Sequence, residues 1–401
     1  MSWVDRSIGE FGRIVTGKTP STKVPEFFDG EYQFVTPTDL DFGNYYCTAT
    51  ERTVSEKTRG QFKNQFIPKD AIMFTCIGNT IGKCGISIGD CLTNQQINSV
   101  VPNESHDPKF LYYLLHYNRE AIRGIGIGGG AATPIINKST FSSVKFSVPE
   151  DKDVQKSIAS TLSAYDDLIE NNRRRIALLE DAARQLYKEW FVRFRFPGHE
   201  HVPIVDGVPE GWQASVASNA MEVLSGGTPK TAIDEFWGGD IPFFTPKDTT
   251  GSIYVNSTEK MLTERGLEAC ASSLFSKGTV FITARGTVGK LNLAQRPMAM
   301  NQSCYALVAK EPLNQTFLYF ALDAAIRQFK ARAVGAVFDA IIKDTFNVIP
   351  FAVPPEKMVR EFTEVVEDNV SQIDNLLAQN DRLRDARDIL LPKLMSGEIA
   401  V

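Results

Sequence analysis

A unit of about two hundred residues occurs twice in this chain of 401 residues, and this duplication restricts the folds that the chain can adopt. The segment GKTPSTKVPEFFDGEYQFVTPTDL begins at Gly17, and GGTPKTAIDEFWGGDIPFFTPKDT begins at Gly226. Shared residues recur 209, then 207 and finally 205 positions later, in the pairs Thr19-Pro20/Thr228-Pro229, Phe28/Trp237, Asp39/Asp248, Lys83/Lys290, Gln95/Gln302 and Phe141/Phe346. Because the offset drifts so little, both copies must share one fold with small changes in loop length.

Each copy begins with a mixed α/β segment and ends with a long helix. Apolar runs such as AIMFTCI and TVFITA, bounded by Gly, Pro, Asn and Thr, predict short strands and loops. We therefore predict an α+β protein with two tandem α/β domains, each followed by a long helix. The predicted segments are residues 1–149, residues 150–196, residues 197–353 with a short linker at the start, and residues 354–401.

Apolar residues in both predicted helices recur in alternating steps of three and four, which is typical of a coiled coil. The order globule–helix–globule–helix predicts that the helices pair antiparallel, with pseudo-twofold symmetry. Asn172 and Asn380 occupy corresponding positions on the seam, where a polar residue fixes register, and they are expected to meet. Pro392 is expected to end or kink the second helix early. The predicted seam consists of Ile158, Leu162, Tyr165, Ile169, Asn172, Ile176, Leu179, Val366, Ile373, Leu376, Asn380, Leu383 and Leu390.

Composition argues against several other classes of protein. No apolar run approaches the length of about 18 residues that a membrane span needs, so we expect a cytoplasmic protein without a membrane partner. The six cysteines form no CxxC pair, which argues against a zinc site and a disulfide framework. The net charge is −5, but residues 354–401 alone contain 6 Lys/Arg and 10 Asp/Glu. The two large domains are therefore nearly neutral.

One glycine motif imitates a cofactor site. Gly124-x-Gly126-x-x-Gly129 matches the dinucleotide-binding fingerprint, which requires a strand before it and a helix after it. Here a helical pattern precedes the glycines and AATPII follows them, so we predict a flexible loop. We find no methyltransferase or hydrolase motif and predict no catalytic residue, no metal and no cofactor on this chain.

The ordered series of motifs resembles the specificity subunits of type I restriction–modification systems over essentially the whole length. The G-x-TP openings, the TPxD steps, the GK turns, the Asn-Gln pairs, the long helices and the closing LLPKLMSGEI together make the resemblance. It implies a non-catalytic subunit with two target-recognition domains that read the halves of a split asymmetric target in double-stranded DNA. The helices would fix the spacing between the half-sites.

The resemblance also implies the partners. Two adenine-N6 methyltransferase subunits would dock on the helices, and restriction subunits would join in the full complex. S-adenosylmethionine, ATP and Mg²⁺ would then belong to the partner subunits only.

Polar and basic residues on the repeated loops are the candidates for DNA contact. Arg suits guanine edges and Asn or Gln suits adenine, whereas lysines on shared glycine turns suit phosphates. Asp39 and Asp248 are expected to cap turns, and Phe28 and Trp237 to lie in the core. The candidates are Lys18, Lys23, Asn79, Thr80, Lys83, Gln95, Gln96, Asn98, Lys230, Lys247, Arg285, Thr287, Lys290, Gln302 and Ser303.

Two alternatives stay open from the sequence. A duplicated adaptor that binds proteins or glycans would also lack catalytic motifs and have nearly neutral domains. A specificity subunit of a methylation-only defence system would have the same fold without a nuclease partner. Exposed aromatic residues would favour a glycan binder, whereas Arg285, Lys290 and Gln302 favour base readout.

Overall fold

In a computed structural model the chain forms two compact units. The structure describes residues 2–43, 45–128, 133–332 and 340–401, without the side chains of 328–332. The first unit combines Met1–Glu170 with Asn380–Val401, and the second consists of Asn171–Gln379. The compact units thus cut across the four predicted segments, because both long helices are divided between them.

The N-terminal half of the chain contains eleven strands and five α-helices among the described residues. The strands are β1 Trp3–Ser7, β2 Gly12–Thr16, β3 Phe28–Val35, β4 Tyr46–Cys47, β5 Arg52–Val54, β6 Phe66–Ile67, β7 Ile72–Thr75, β8 Cys84–Ser87, β9 Cys91–Thr93, β10 Ile97–Pro102 and β11 Lys145–Pro149. The helices are α1 Glu56–Gln61, α2 Pro108–Tyr117, α3 Arg119–Ile127, α4 Lys138–Ser143 and α5 Lys152–Tyr187.

The C-terminal half continues α5 with a π-helical turn, Lys188–Val192. Its strands are β12 Ile204–Val205, β13 Val208–Pro209, β14 Gln213–Val216, β15 Met221–Ser225, β16 Trp237–Phe244, β17 Tyr254–Val255, β18 Lys260–Leu262, β19 Val280–Thr283, β20 Leu291–Ala294, β21 Ala299–Met300, β22 Cys304–Ala309 and β23 Pro350–Val353. Its helices are α6 Ala217–Ala220, α7 Glu264–Glu268, α8 Gln315–Arg332 and α9 Glu356–Met395.

The duplication is visible strand by strand. The first domain contains a five-stranded sheet in the order β2-β10-β7-β8-β4, and the second contains β15-β22-β19-β20-β17 in the same relation. The pairs β4·β8 and β17·β20 are both parallel, as are β3·β9 and β16·β21. A two-stranded sheet closes each domain, β1 with β11 and β14 with β23. The prediction of two tandem domains with one mixed fold is therefore confirmed.

Helices α2 and α8, which occupy corresponding places in the two domains, begin with matching caps. The Asp107 side chain accepts a hydrogen bond from Phe110 N at 2.9 Å at the start of α2, and Pro108 occupies the first helical position. In the second domain Asn314 caps α8 by accepting from Phe317 N, also at 2.9 Å. Both caps follow a central strand of the five-stranded sheet, so the same helix is placed against the same sheet twice.

The glycine motif lies in a different structure from the one predicted. Gly124 and Gly126 are part of α3, not of a loop, and α3 follows α2 after a break at Asn118. A Cβ on Gly126 would lie 3.0 Å from Ile136 Cγ1, so glycine allows this helix to pack closely. Gly129 lies outside the described residues.

A buried ion pair attaches the long helices to the first domain. Asp166 on α5 and Arg387 on α9 are 3% and 2% exposed, and the Arg387 Nη1 atom contacts Asp166 Oδ1. The other carboxylate oxygen accepts a hydrogen bond from Tyr113 Oη at 2.5 Å. Burial raises the pKa of Asp166 although the guanidinium opposes this effect. Nearby, Leu391 and Leu394 complete the hydrophobic core of the first domain.

In the second unit, other polar contacts attach the long helices α5 and α9 to the second domain. Glu180 on α5 accepts hydrogen bonds from Ser252 Oγ at 2.6 Å and from Ile253 N at 2.8 Å. Asp374 on α9 accepts from Gln295 Nε2 at 2.7 Å and pairs with Lys277 Nζ at 2.6 Å. The second domain therefore holds both helices through acidic side chains on the helices, whereas in the first unit the α9 partner is the basic Arg387.

Within the second unit the two long helices run antiparallel. Asn172 Nδ2 donates to Gln379 Oε1 at 3.1 Å, whereas fifteen residues further along α5 the Tyr187 ring lies 5.6 Å from the ring of Phe362. Contacts thus move backward along α9 as α5 advances. Coiled-coil packing with pseudo-twofold symmetry stays a prediction, as does the meeting of Asn172 with Asn380.

All thirteen predicted seam residues lie at least half-buried. Tyr165, Leu179, Leu383 and Leu390 are half-buried, and the other nine are buried. Pro392 does not end α9, because the helix continues to Met395, and a kink at this proline stays a prediction. A proline this close to the C-terminus removes only one hydrogen bond in the last turns, which the packing of Leu391 and Leu394 outweighs.

Candidate nucleic-acid interface

The G-x-TP opening and the Asn-Gln pair, distant in sequence, meet in each domain. Lys18 N donates to Thr93 O at 2.8 Å, and Thr19 Oγ1 donates to Gln95 Oε1 at 2.6 Å. A Cβ on Gly17 would lie 2.2 Å from the carbonyl oxygens of Thr93 and Asn94. Only glycine allows the two segments to approach this closely.

The second domain repeats this arrangement. Gly227 N donates to Met300 O at 3.1 Å, and Thr228 Oγ1 donates to Gln302 Oε1. A Cβ on Gly226 would lie 2.4 Å from the carbonyl oxygens of Met300 and Asn301. The recurrence of these motifs in the sequence therefore reflects one repeated contact between two loops.

The TPxD steps are turns whose aspartates accept hydrogen bonds from groups of their own domain. Asp39 Oδ2 accepts hydrogen bonds from Thr36 N and Thr36 Oγ1, both at 2.7 Å, and Oδ1 accepts from Glu51 N at 2.8 Å. Asp248 makes the corresponding three bonds to Thr245 and to Glu259 N, at 2.6–2.8 Å. The prediction that these aspartates cap turns is confirmed.

A buried threonine holds the GK turn in each domain. Thr75 Oγ1 contacts Thr80 O and accepts from Lys83 N at 3.1 Å. Thr283 makes the same two contacts, to Thr287 O and from Lys290 N at 3.0 Å, although the second turn is one residue shorter. A side chain on either turn therefore projects from a fixed backbone.

The two GK turns differ in how they use their polar side chains. Lys83 is half-buried, and its Nζ donates to Pro37 O at 3.0 Å. In the second domain Thr287 Oγ1 donates to the corresponding carbonyl, Pro246 O, at 3.3 Å, and Lys290 is exposed. Lys83 thus uses one of its three donors inside its own domain, whereas Lys290 presents its charge to solvent.

Most of the predicted contact residues lie on the surface. Lys18, Lys23, Asn79, Gln95, Lys230, Lys247, Arg285, Thr287, Lys290 and Gln302 are exposed, and Thr80, Lys83, Gln96 and Ser303 are half-buried. Hydrogen bonds join the TP openings to the Asn-Gln turns and the GK turns to the TPxD steps. None of these four hydrogen bonds involves Lys23, Lys230 or Lys247. The Nζ atom of Lys247 lies 4.0 Å from the carboxylate of Glu259.

Asn98 requires a correction. This residue is 3% exposed, because it lies on β10, between β2 and β7 of the five-stranded sheet, with its side chain turned inward. Its Oδ1 accepts from Thr16 Oγ1 at 2.6 Å, and its Nδ2 donates to Cys76 Sγ at 3.3 Å. Asn98 therefore supports the sheet and does not present an amide to DNA.

The sequence interpretation overlooked the role of Thr19 and Thr228. Both were noted only as landmarks of the repeat, yet each orients a candidate glutamine. The signal was present, because a threonine and a glutamine recur together in both copies, 76 and 74 residues apart. Phe28 and Trp237 pack where predicted, in or against hydrophobic clusters.

Other kinds of site find no support in the described parts of the chain. Residues 2–43, 45–128, 133–332 and 340–401 contain no group of three or more His, Cys, Asp or Glu side chains placed to hold a metal ion. Over the same residues no helix combines the length and the apolar character required to cross a bilayer. Burial raises the pKa of the Cys47, Cys76, Cys84 and Cys304 thiols to about 12, so these cysteines are unreactive thiols.

The chain thus contains two copies of one α+β domain, each followed by a long helix and each with the same frame of polar turns. The family described as "Type I restriction modification DNA specificity domain" matches residues 1–181 and again residues 209–377. The chain therefore belongs to the family of type I restriction–modification specificity subunits.

Similar proteins include subunits from archaea and bacteria. The chain is 28% identical over 411 residues to the type I restriction enzyme MjaIX specificity subunit of Methanocaldococcus jannaschii, covering 100% of this chain and 94% of that one. It is 24% identical to the HindI specificity subunit of Haemophilus influenzae, over 73% and 77% of the two chains. The crystal structure of the type I S subunit from M. genitalium has the same fold, with a TM-score of 0.54, 17% identity and 98% and 96% coverage.

Proposed function

We propose that this specificity subunit reads a split, asymmetric target in double-stranded DNA, with one domain on each half-site. One observation supports this most strongly. The two domains share the same frame of turns, whereas several of the exposed side chains on that frame differ. A shared frame suits two copies of one task, and different side chains suit different base sequences.

The differences lie at defined positions. Cys76 N donates to Gln96 O and Ala284 N to Ser303 O, both at 2.8 Å, so Ile77 and Arg285 follow matched residues. Arg285 is exposed, whereas Ile77 is half-buried and forms a β-bridge with Ile135. An exposed arginine at this place suits a guanine edge in the second half-site, for which the first domain has no counterpart. These basic and amide groups favour base readout over the adaptor alternative.

The helices are the proposed docking surface for two methyltransferase subunits, with restriction subunits joining in the full complex. Leu178 on α5 is 72% exposed and Ile389 on α9 is 63% exposed, although each helix buries its seam. We take these two exposed side chains as candidate contacts for the partner subunits. We further propose that the helices fix the spacing of the half-sites, and that S-adenosylmethionine, ATP and Mg²⁺ are bound by the partners.

The subunit is expected to need those partners to hold DNA tightly. Non-specific affinity comes mainly from neutralised phosphates, and the two domains are nearly neutral. The isolated chain should therefore bind duplex DNA weakly. Its affinity should fall as the salt concentration rises from about 50 to 200 mM, because complexes held by phosphate contacts weaken steeply over this range. A salt-resistant, nanomolar complex of the chain alone would contradict this part of the proposal.

Methylation mapping tests the proposal directly. The chain is expressed in a host with its neighbouring methyltransferase gene, and N6-methyladenine is mapped by long-read sequencing. We expect methylation at one split motif, only when the chain is present. Exchanging residues 1–149 together with 380–401, which belong to the same unit, for the corresponding segments of another specificity subunit should change one half of the motif. Methylation that is unaltered by the presence of the chain would refute DNA reading.

A further inference from the structure

We propose that Gln95 and Gln302 make the same contact in the two half-sites, each donating a carboxamide N–H to an acceptor atom of DNA. Thr19 and Thr228 act as the positioning residues that orient these carboxamides. This inference rests on the proposed function and adds to it a prediction of what the two half-sites share.

Each glutamine lies on a turn that the same backbone bonds hold in both domains. In the first domain Asn94 N donates to Val35 O at 2.9 Å, and Asn94 Oδ1 accepts from Gln96 N at 3.0 Å. In the second domain Asn301 N donates to Phe244 O at 2.9 Å, and Asn301 Oδ1 accepts from Ser303 N at 3.0 Å. The glutamine between these bonds is exposed in both cases.

The threonine hydroxyl then selects the orientation of the carboxamide. Because Oε1 of Gln95 accepts from Thr19 Oγ1, and Oε1 of Gln302 accepts from Thr228 Oγ1, the Nε2 group points away from the threonine in each domain. An amide nitrogen offers two N–H donors. Phosphate oxygens, adenine N7, guanine O6 and N7, and thymine O4 are DNA acceptors that fit such a group.

Stability alone does not explain these two bonds. Both are hydrogen bonds between neutral, exposed groups, for which water competes, so they contribute little to folding. Gln96 and Ser303, which follow the two glutamines, differ between the copies, whereas the Thr–Gln pair is the same in both. An exposed pair that recurs in both domains is explained by a contact that both domains make.

The acceptor is either a phosphate oxygen or a base edge, and a randomised library separates the two. The complex of the full chain with its methyltransferase is given duplexes in which every base of both half-sites is randomised, and rates and preferences are read by sequencing. For a base edge, Gln95→Ala should lower discrimination about tenfold at one position of the first half-site only. Gln302→Ala should do the same in the second, so each variant is the matched control of the other.

For a phosphate, both variants should slow methylation of all sequences by a similar factor and leave the preferences unchanged. In either case Thr19→Val should reproduce part of the effect of Gln95→Ala, because the freed carboxamide rotates, and Thr19→Ser should restore the wild-type value. Melting temperatures should stay unchanged, because the substituted groups are exposed.

Two results would overturn the inference. One is wild-type rate and preference in both glutamine variants, and the other is equal damage from Thr19→Ser and Thr19→Val. Failure of the proposed function is distinguishable, because the unmodified complex would then select no split motif from the library.

Discussion

Replacing Arg387 by Met should destabilise the first unit selectively. Arg387 is the buried counter-ion of Asp166, which is itself only 3% exposed. The Met side chain fills most of the space of the arginine but leaves the carboxylate with Tyr113 Oη as its remaining side-chain donor. Burial raises the pKa of Tyr113, so this hydroxyl stays protonated and continues to donate.

The expected cost is about 3–5 kcal/mol, the range found when one partner of a buried ion pair is removed. Most of this cost is the desolvation of a buried charge that has lost its partner. The contact between Arg387 Nε and Asp388 Oδ1, at 2.9 Å, is half exposed to solvent and adds little.

The double variant Asp166→Asn with Arg387→Met is the matched control. An asparagine Oδ1 still accepts from Tyr113, and no buried charge remains. Replacing a buried ion pair by neutral groups of similar volume is often close to neutral in stability. The double variant should therefore recover most of the loss, which distinguishes the electrostatic cause from damage to packing.

The loss should also shrink in acid. In the wild type, burial raises the pKa of Asp166 and Arg387 opposes this effect, so removing Arg387 should raise that pKa further. A carboxyl whose folded pKa exceeds its unfolded value, about 3.9, binds more protons in the folded state. Stability of the single variant should therefore rise relative to the wild type as pH falls from the raised pKa toward about 4.

Hydrogen exchange followed by mass spectrometry measures the effect region by region. A loss of about 3–5 kcal/mol in the free energy of opening accelerates exchange roughly 10²- to 10³·⁵-fold in the first unit, and peptides of α8 serve as the unaffected reference. A loss below about 1 kcal/mol, or equal acceleration in both units, would refute a structural role for this pair. So would a loss that grows on acidification.

Three further predictions follow from other parts of the chain. Arg285→Ala should relax base preference in the second half-site by about 1–3 kcal/mol and leave the first half-site intact, as methylation mapping would show. Removing residues 380–401 should accelerate hydrogen exchange in β7 more than in β19, because Leu391 and Leu394 belong to the first core only; equal acceleration would argue otherwise. Replacing Asn172 and Asn380 by Leu should raise the melting temperature and loosen spacer preference; if both stay unchanged, the seam assignment is wrong.

The repeated motifs predicted the fold because each one satisfies a steric or hydrogen-bonding requirement of the backbone. Gly17 and Gly226 recur where another loop lies too close for a Cβ, and Asp39 and Asp248 recur where backbone N–H groups need an acceptor. The boundaries of the compact units could not be predicted in this way. They depend on which residues of α9 pack against which domain, and a heptad pattern contains no such information.

The candidate surface was predictable in its position but not in its detail. Asn98 and Gln96 are both polar and only two residues apart, yet one supports the sheet and the other lies half-buried at a turn. The difference depends on where β10 begins, because Gln96 precedes the first residue of the strand, Ile97, whereas Asn98 lies within it. Lys83 and Lys290 occupy equivalent positions but differ in exposure, because the Pro37 carbonyl binds Lys83 whereas the Pro246 carbonyl binds Thr287.

Because the domain occurs twice, residues that hold the turns can be distinguished within one molecule from residues that are proposed to read DNA. Where the two copies agree, as at Thr75 and Thr283, the side chain binds backbone atoms of its own domain, which are the same whatever the DNA sequence. At Ile77 and Arg285 the copies differ, and the Arg285 side chain is exposed. A base preference that differs between the proposed half-sites requires groups that are both variable and accessible, so we expect this difference to reside at positions such as Arg285. The Thr–Gln pair is accessible but invariant between the copies, and for that reason we expect it to contact what the half-sites have in common.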